Sequence, residues 1–246
     1  MLLVLTYHRI VENAGAIGNF FDVSVDEIEK HMRAAKRIWG SSVSPAEIQR
    51  EQCGASRACT GFMVTFDDGT ADHYRIAAPT LERNGVRGVF FVSTALLGKE
   101  GYLTLAQCQE LQDRGHAIES HSHDHTSLLT LTKEELRNQL EESRRRLHDC
   151  GLGQGELLAP PGGYSDDAVA QAARAVGYRG LRTLRCGYNR RLNPFCVESI
   201  TMQRKTAGKP SRLLLSPCLE PVKKAAYRAK EMVKTHMPSA YFLLRS

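Results

Sequence analysis

The chain reads as an α/β protein built on parallel strands. Short apolar runs alternate with amphipathic stretches, Ser/Thr-x-x-Glu boxes open two of those stretches, and Val86–Val92 is β-branched or aromatic almost throughout. Leu2–Tyr7 is the first expected strand. Ser24-Val25-Asp26-Glu27 is read as a capping box, in which hydroxyl and carboxylate each satisfy an orphan amide. Ile28, Met32, Ala35 and Ile38 follow at helical spacing, and Gly40 stops the helix. Ser44-Pro45-Ala46-Glu47 opens a second short helix, with Pro where its missing N–H costs nothing.

Gly61–Phe66 is a strand that runs into Asp67-Asp68-Gly69, and a helix from about Ala71 to Arg83 ends at Asn84-Gly85. After the Val86–Val92 strand come a helix at Leu103–Arg114 and a strand at Gly115–Ser120 that leads into His121. The box Thr132–Glu135 opens a helix whose face is Leu136, Leu140 and Leu147. Glu156–Ala159 is a strand ending at Pro160-Pro161-Gly162-Gly163, Asp166–Val176 a helix, and Tyr178–Leu184 the last expected strand. The organisation is therefore a main α/β domain over residues 1–209 and a basic, partly helical tail over 210–246. Lys223, Lys224, Arg228, Lys230 and Lys234 give that tail either a peripheral membrane contact or a plain solvated face.

Composition narrows the class. Hydrophobic residues at 42% and charged residues at 24% are ordinary for a globular chain. The net charge of +6 permits an anionic partner such as a lipid pyrophosphate or a membrane surface. No nucleic-acid motif accompanies it, so nucleic acid is not an expected partner. Seven scattered cysteines without a CxxC pair read as reduced thiols and favour the cytoplasm. The apolar start, Met1–Leu5, lacks a basic n-region and a cleavage site, so it reads as a strand and not as a signal peptide. No apolar stretch approaches the roughly 20 residues a membrane span needs.

Two motifs bear chemistry. Adjacent carboxylates at a strand end, Asp67 and Asp68, raise one another's pKa and are costly without a function or a cation. A turn permitted by Gly69 lets one reach a metal while the other sits beside it; the plain alternative is a surface turn. In His121-Ser122-His123-Asp124-His125, histidines four apart can share a metal if the segment curls, with His123 pointing away and Asp124 orienting a ligand. The plain alternative is a polar loop. Together Asp68, His121 and His125 make a ligand set with open positions, and Asp67 remains as general base.

Thr65-Phe66-Asp67-Asp68-Gly69, the His121–His125 run and Pro160-Pro161-Gly162-Gly163 together resemble the polysaccharide deacetylases of carbohydrate esterase family four. The resemblance covers roughly residues 1–205. It implies a distorted (β/α)7-type barrel, a His-His-Asp metal site, Asp67 as base, Asp68 as ligand and hydrolysis of an N-acetyl group. It also implies a divalent ion, zinc first with cobalt or nickel as alternatives. The loop Pro161-Gly162-Gly163-Tyr164 would border the substrate, with a backbone N–H of Gly162 or Tyr164 facing the oxyanion.

Two departures stand out. The Arg that usually opens the third motif and steadies the catalytic Asp is replaced by Ala159, leaving Arg182, Arg185 or another cation to take its place. The usual C-terminal Leu-x-His is absent, and the only later histidine is His236 in the tail. The poly-N-acetylglucosamine deacetylase branch draws its acid from an N-terminal Tyr-His segment, similar to Tyr7-His8 here, so His8 is the expected acid. The expected substrate is an N-acetylhexosamine-containing saccharide or lipid-linked saccharide met in the cytoplasm or at the inner membrane face. A metal-dependent amide or imide hydrolase on a non-carbohydrate substrate, and a non-catalytic member of the fold, are the alternatives.

Overall fold

A computed structural model describes residues 1–46, 60–152, 156–204 and 225. Seven parallel strands form a closed barrel in the order β1 (Leu2–Tyr7), β4 (Gly61–Phe66), β5 (Gly88–Val92), β6 (Ala117–Ser120), β7 (Leu157–Leu158), β8 (Gly180–Cys186) and β9 (Val197–Thr201), and β9 returns to β1. Between β1 and β4 lie α1 (Val25–Trp39) and a separate parallel pair, β2 (Arg9–Val11) with β3 (Asp22–Ser24). The other helices are α2 (Ala78–Arg83), α3 (Leu105–Asp113), α4 (Lys133–Asp149) and α5 (Asp167–Val176). This is the distorted (β/α)7 barrel the motifs implied. Among the described residues no helix is long and apolar enough to cross a membrane, and Cys108, Cys150, Cys186 and Cys196 are free thiols. The basic tail and most of the helix expected from Ser44 lie outside the described residues.

Strand alternation divides the core in two. Leu2, Val4, Met63, Val89, Phe91, Leu157, Ala159 and Val197 fill the barrel interior. Their neighbours Leu3, Leu5, Phe62, Val64, Phe66, Phe90 and Val92 face outward onto Ile28, Met32 and Leu81 of the helices. The same alternation turns Thr6 and Thr65 inward, where their hydroxyls bond at 2.9 Å. One step further along each strand it brings His8 and Asp67 to the rim.

Three local expectations change. Ser24 is the N-cap of α1 but makes no side-chain bond there; Glu27 pairs instead with Lys30 at 3.0 Å. The Thr132 box forms as read, and Thr104 with Gln107 makes another that the sequence reading missed. The helix expected from Ala71 is a π turn at His73–Ala77 leading into α2, because Pro79 has no N–H to offer and crowds the preceding turn. β9 was not expected at all. Its Ser199 points at the Thr183 carbonyl, 2.8 Å away, so the strand lacks the apolar run that marks its neighbours.

β7 is short and pairs with β6 only at Ser120–Leu158. Glu119 extends that seam with its side chain, accepting the Leu157 amide at 2.9 Å. Burial pushes this carboxyl up to about 8. A folded pKa raised above the unfolded one gives stability that is complete below the unfolded value and is lost as pH rises through 8. Glu119→Gln, neutral at every pH, should therefore unfold at a higher temperature than the parent at about pH 8.5 and lose that advantage near pH 4.5. Calorimetry at the two pH values checks this, and an advantage independent of pH would contradict it.

Candidate metal and catalytic site

β1 and β4 pair in register with Tyr7 opposite Phe66, so His8 and Asp67 leave the barrel side by side. The Asp67 amide donates to the Tyr7 carbonyl at 2.9 Å and continues the ladder. At Asp68 the chain turns into the left-handed region, φ 76°, and Gly69 follows at φ 71°. A Cβ on Gly69 would lie 2.9 Å from Val92 Cγ1, so the turn needs glycine. Among the described residues, the non-glycine positions with positive φ are Asp68, Ser122 and His125. All three belong to the two chemical motifs, and each costs roughly 1–3 kcal/mol that the surrounding bonds must offset.

Those turns bring three side chains to one point. One ligand atom each from Asp68, His121 and His125 lies within 4.8 Å of the others. Asp68 Oδ1 is 3.0 Å from His125 Nε2 and 3.3 Å from His121 Nε2. His121 Nδ1 donates to the Ala159 carbonyl at 2.6 Å, which fixes its tautomer and leaves the Nε2 lone pair facing a carboxylate oxygen. Two acceptors at that distance repel unless a cation stands between them. The donor set, two imidazoles and one carboxylate, therefore fits a divalent ion of the zinc type. Burial raises the Asp68 carboxyl, but the imidazoles of His121 and His125 beside it outweigh that and hold the group well below the usual carboxylate range. Asp68 in turn raises His125.

The loop beneath is tied down. Val92 accepts the His121 amide at 2.9 Å, Ser93 Oγ donates to the His121 carbonyl at 2.9 Å, and Ser143 Oγ donates to the Ser122 carbonyl at 2.9 Å. His123 turns away to Thr94, as expected. Asp124 does not orient a ligand: it accepts from the Thr126 amide at 2.9 Å and from Gln139 at 2.7 Å, shaping the loop instead. The orienting acceptor is the Ala159 carbonyl.

Asp67 is buried and ion-paired through Oδ1 with Arg182, which points inward from β8 and is itself fully buried. Burial pushes the Asp67 carboxyl up, while Arg182, His121 and His8 outweigh it and keep the group below its usual value. The Arg182 guanidinium also lies 5.0 Å from the Phe91 ring centre. Arg185 is directed elsewhere, at the Ser165 carbonyl and Cys196 Sγ. Asp67 Oδ2 is 3.8 Å from His8 Nε2. Burial lowers His8, against the pull of the Asp67 carboxylate. Phe21 stacks on the His8 ring with centroids 4.3 Å apart. His73 Nε2 reaches the His8 carbonyl, and Asp72 accepts the Ile10 amide at 2.7 Å, so the residues just after the Asp-Asp-Gly turn hold the segment that bears His8.

The loop after β7 forms a 3-10 turn at Pro161–Gly163. Gly163 has φ 73°, and a Cβ there would lie 2.3 Å from Leu184 Cγ. Its amide is committed to the Pro160 carbonyl at 2.8 Å, which leaves the expected oxyanion donor to Gly162 or Tyr164.

A family model described as polysaccharide deacetylase matches residues 56–181, just over half of the 246-residue chain. The chain belongs to the polysaccharide deacetylase family. It is 28% identical over 181 residues to YxkH of Bacillus subtilis (strain 168), whose name assigns it provisionally to the polysaccharide deacetylases; the match takes 72% of this chain and 62% of that protein. The peptidoglycan-N-acetylmuramic acid deacetylase PdaA of the same organism is 27% identical over 118 residues, 47% of this chain and 43% of its own. The chain thus spans less than two thirds of the length of these curated relatives. In fold it is similar to the deacetylase PplD of Streptococcus pyogenes in complex with acetate, at TM-score 0.75 and 24% identity over 87% of this chain and 96% of that one. It is also similar to IcaB from Ammonifex degensii, at TM-score 0.73 and 22% identity over 86% and 97%. Within the polysaccharide deacetylase barrel, the cation beside Asp67 comes here from β8 and not from the start of the third motif, where Ala159 lends only its carbonyl.

Proposed function

We propose that the chain is a metal-dependent hydrolase that removes acetyl groups from N-acetylated sugars. The observation that carries this is the convergence of Asp68, His121 and His125 beside the buried pair of Asp67 and Arg182. A divalent ion held by the three ligands would polarise the acetyl carbonyl and make a nearby water more acidic. Asp67 Oδ2, the oxygen not engaged by Arg182, takes the proton of the attacking water. A backbone N–H of Gly162 or Tyr164 donates to the carbonyl oxygen as charge develops on it. His8 Nε2 gives a proton to the departing amine, and the Asp67 charge 3.8 Å away favours the protonated ring against the cost of its burial. Acetate and a free amino sugar result.

The names of the relatives support an acetamido sugar as the carrier, since the similar proteins include peptidoglycan N-acetylmuramic acid and N-acetylglucosamine deacetylases. The basic segment 210–246 suits a lipid-linked or nascent saccharide at an anionic membrane face. Acetate release from N-acetylglucosamine oligomers, compared with release from non-carbohydrate acetamides and ring opening of imides, tests the substrate class. Turnover confined to the non-carbohydrate compounds would overturn it. His8→Ala is expected to lose roughly a hundredfold or more on the amide while still cleaving an activated acetyl ester, whose leaving group needs no proton. Equal loss on both would remove His8 from the acid role.

A further inference from the structure

We infer that Phe20 and Phe21, with Asn19 and Arg9, form a subsite for the sugar ring next to the one that loses its acetyl group. The inference rests on the deacetylase reading only in taking the reacting ring to lie over Asp68. A cavity of about 630 Å³ is lined jointly by His8 and Asp68, already part of the site, and by Arg9, Asn19, Phe20 and Phe21. That volume lies in the range of pockets that enclose whole small molecules and far exceeds an acetamido group. Apart from Thr70, which follows the Asp-Asp-Gly turn, the extra wall comes from the segment between β1 and α1.

The wall is built in advance. Asp22, fully buried, accepts the amides of Gly18 at 2.7 Å and Asn19 at 2.9 Å, and Asn19 Oδ1 accepts the Phe21 amide at 2.8 Å. Pairing of β2 with β3 anchors both ends of the segment, and the Arg204 amide donates to the Phe20 carbonyl at 3.0 Å. Phe21 is laid flat on His8, and Phe20 stands at 88° to it with centroids 5.1 Å apart. The result is an aromatic corner beside the acid, lining the same cavity as Asp68.

The chemistry of that corner selects its occupant. A pyranose offers an apolar face of C–H groups to an aromatic ring and a rim of hydroxyls to planar polar groups. Here the rings are Phe20 and Phe21, and the planar groups are the Asn19 amide and the Arg9 guanidinium, which lies 3.8 Å from Asp22 and is partly neutralised by it. A neutral sugar ring matches this better than a strongly acidic group. The adjoining position, next to His8 and Asp68, makes it the neighbour of the reacting residue.

The 246-residue chain, stripped of metal with chelator, is titrated calorimetrically with N-acetylglucosamine oligomers of increasing length. The expected result is roughly tenfold tighter binding of the trimer than of the single sugar. Phe20→Ala, with an unchanged far-ultraviolet spectrum, should weaken the trimer by roughly threefold to tenfold and cost the single sugar less. Equal affinity for all lengths, or a Phe20→Ala protein that binds the trimer as the parent does, would overturn the subsite. A length gain seen only with carboxylate-bearing oligomers and removed by Arg9→Gln would overturn the neutral ring as its occupant. Acetate release by the metal-loaded protein is read separately: length-dependent binding without acetate from any oligomer would sink the deacetylase reading and leave the subsite standing.

Discussion

Asp67→Asn should keep its metal and lose roughly a hundredfold to ten-thousandfold in acetate release. The amide has the shape of the carboxylate and keeps an oxygen toward Arg182, but it cannot take a proton from water. The proposed metal ligands are Asp68, His121 and His125, so metal content, measured on the purified variant, should match the parent. Full activity with bound metal would show that another group is the base. Loss of activity together with metal would show that Asp67 belongs to the ligand set.

Arg182→Met is expected to have the largest effect on stability. It strands the buried Asp67 carboxylate at the barrel rim without its partner, and breaking a buried pair by removing one partner costs roughly 3–5 kcal/mol. The double variant Asp67→Asn/Arg182→Met removes both charges and should recover much of that loss in denaturant unfolding. Additive losses would mean that the two groups do not interact. Activity supplies a second readout: adding Ala159→Arg to Arg182→Met restores a cation at the usual third-motif position. It should recover part of the turnover if the charge beside Asp67 matters more than the strand it comes from.

The strands and helices that bear the site were legible because their cues are local. Gly61–Phe66 is apolar but for Thr65, Thr132 and Glu135 make a box, and three histidines fall within five residues. What escaped were features set by closure of the barrel. β9 is half polar because Ser199 bonds inward to β8, so no apolar run announced it. Asp72 and His73 read as ordinary helix residues, and only the folded chain shows them gripping the His8 segment from more than sixty positions away. Arg182 could be named as a candidate partner for Asp67 but not chosen over Arg185, because that choice depends on which side of β8 faces the interior. Phe20 and Phe21 sit in a stretch without periodic pattern, and their meeting with His8 follows from the β2–β3 pairing.

The central claim is that Asp68, His121 and His125 hold a divalent ion on which sugar deacetylation depends. It is tested most directly by measuring acetate released from an N-acetylglucosamine oligomer by the purified chain, then after chelation, then after zinc is added back. The account predicts release, its loss on chelation and its return at about one ion per chain, with no return in His121→Ala. Release that survives complete removal of metal, or an intact His121→Ala protein that regains activity with zinc, would contradict it.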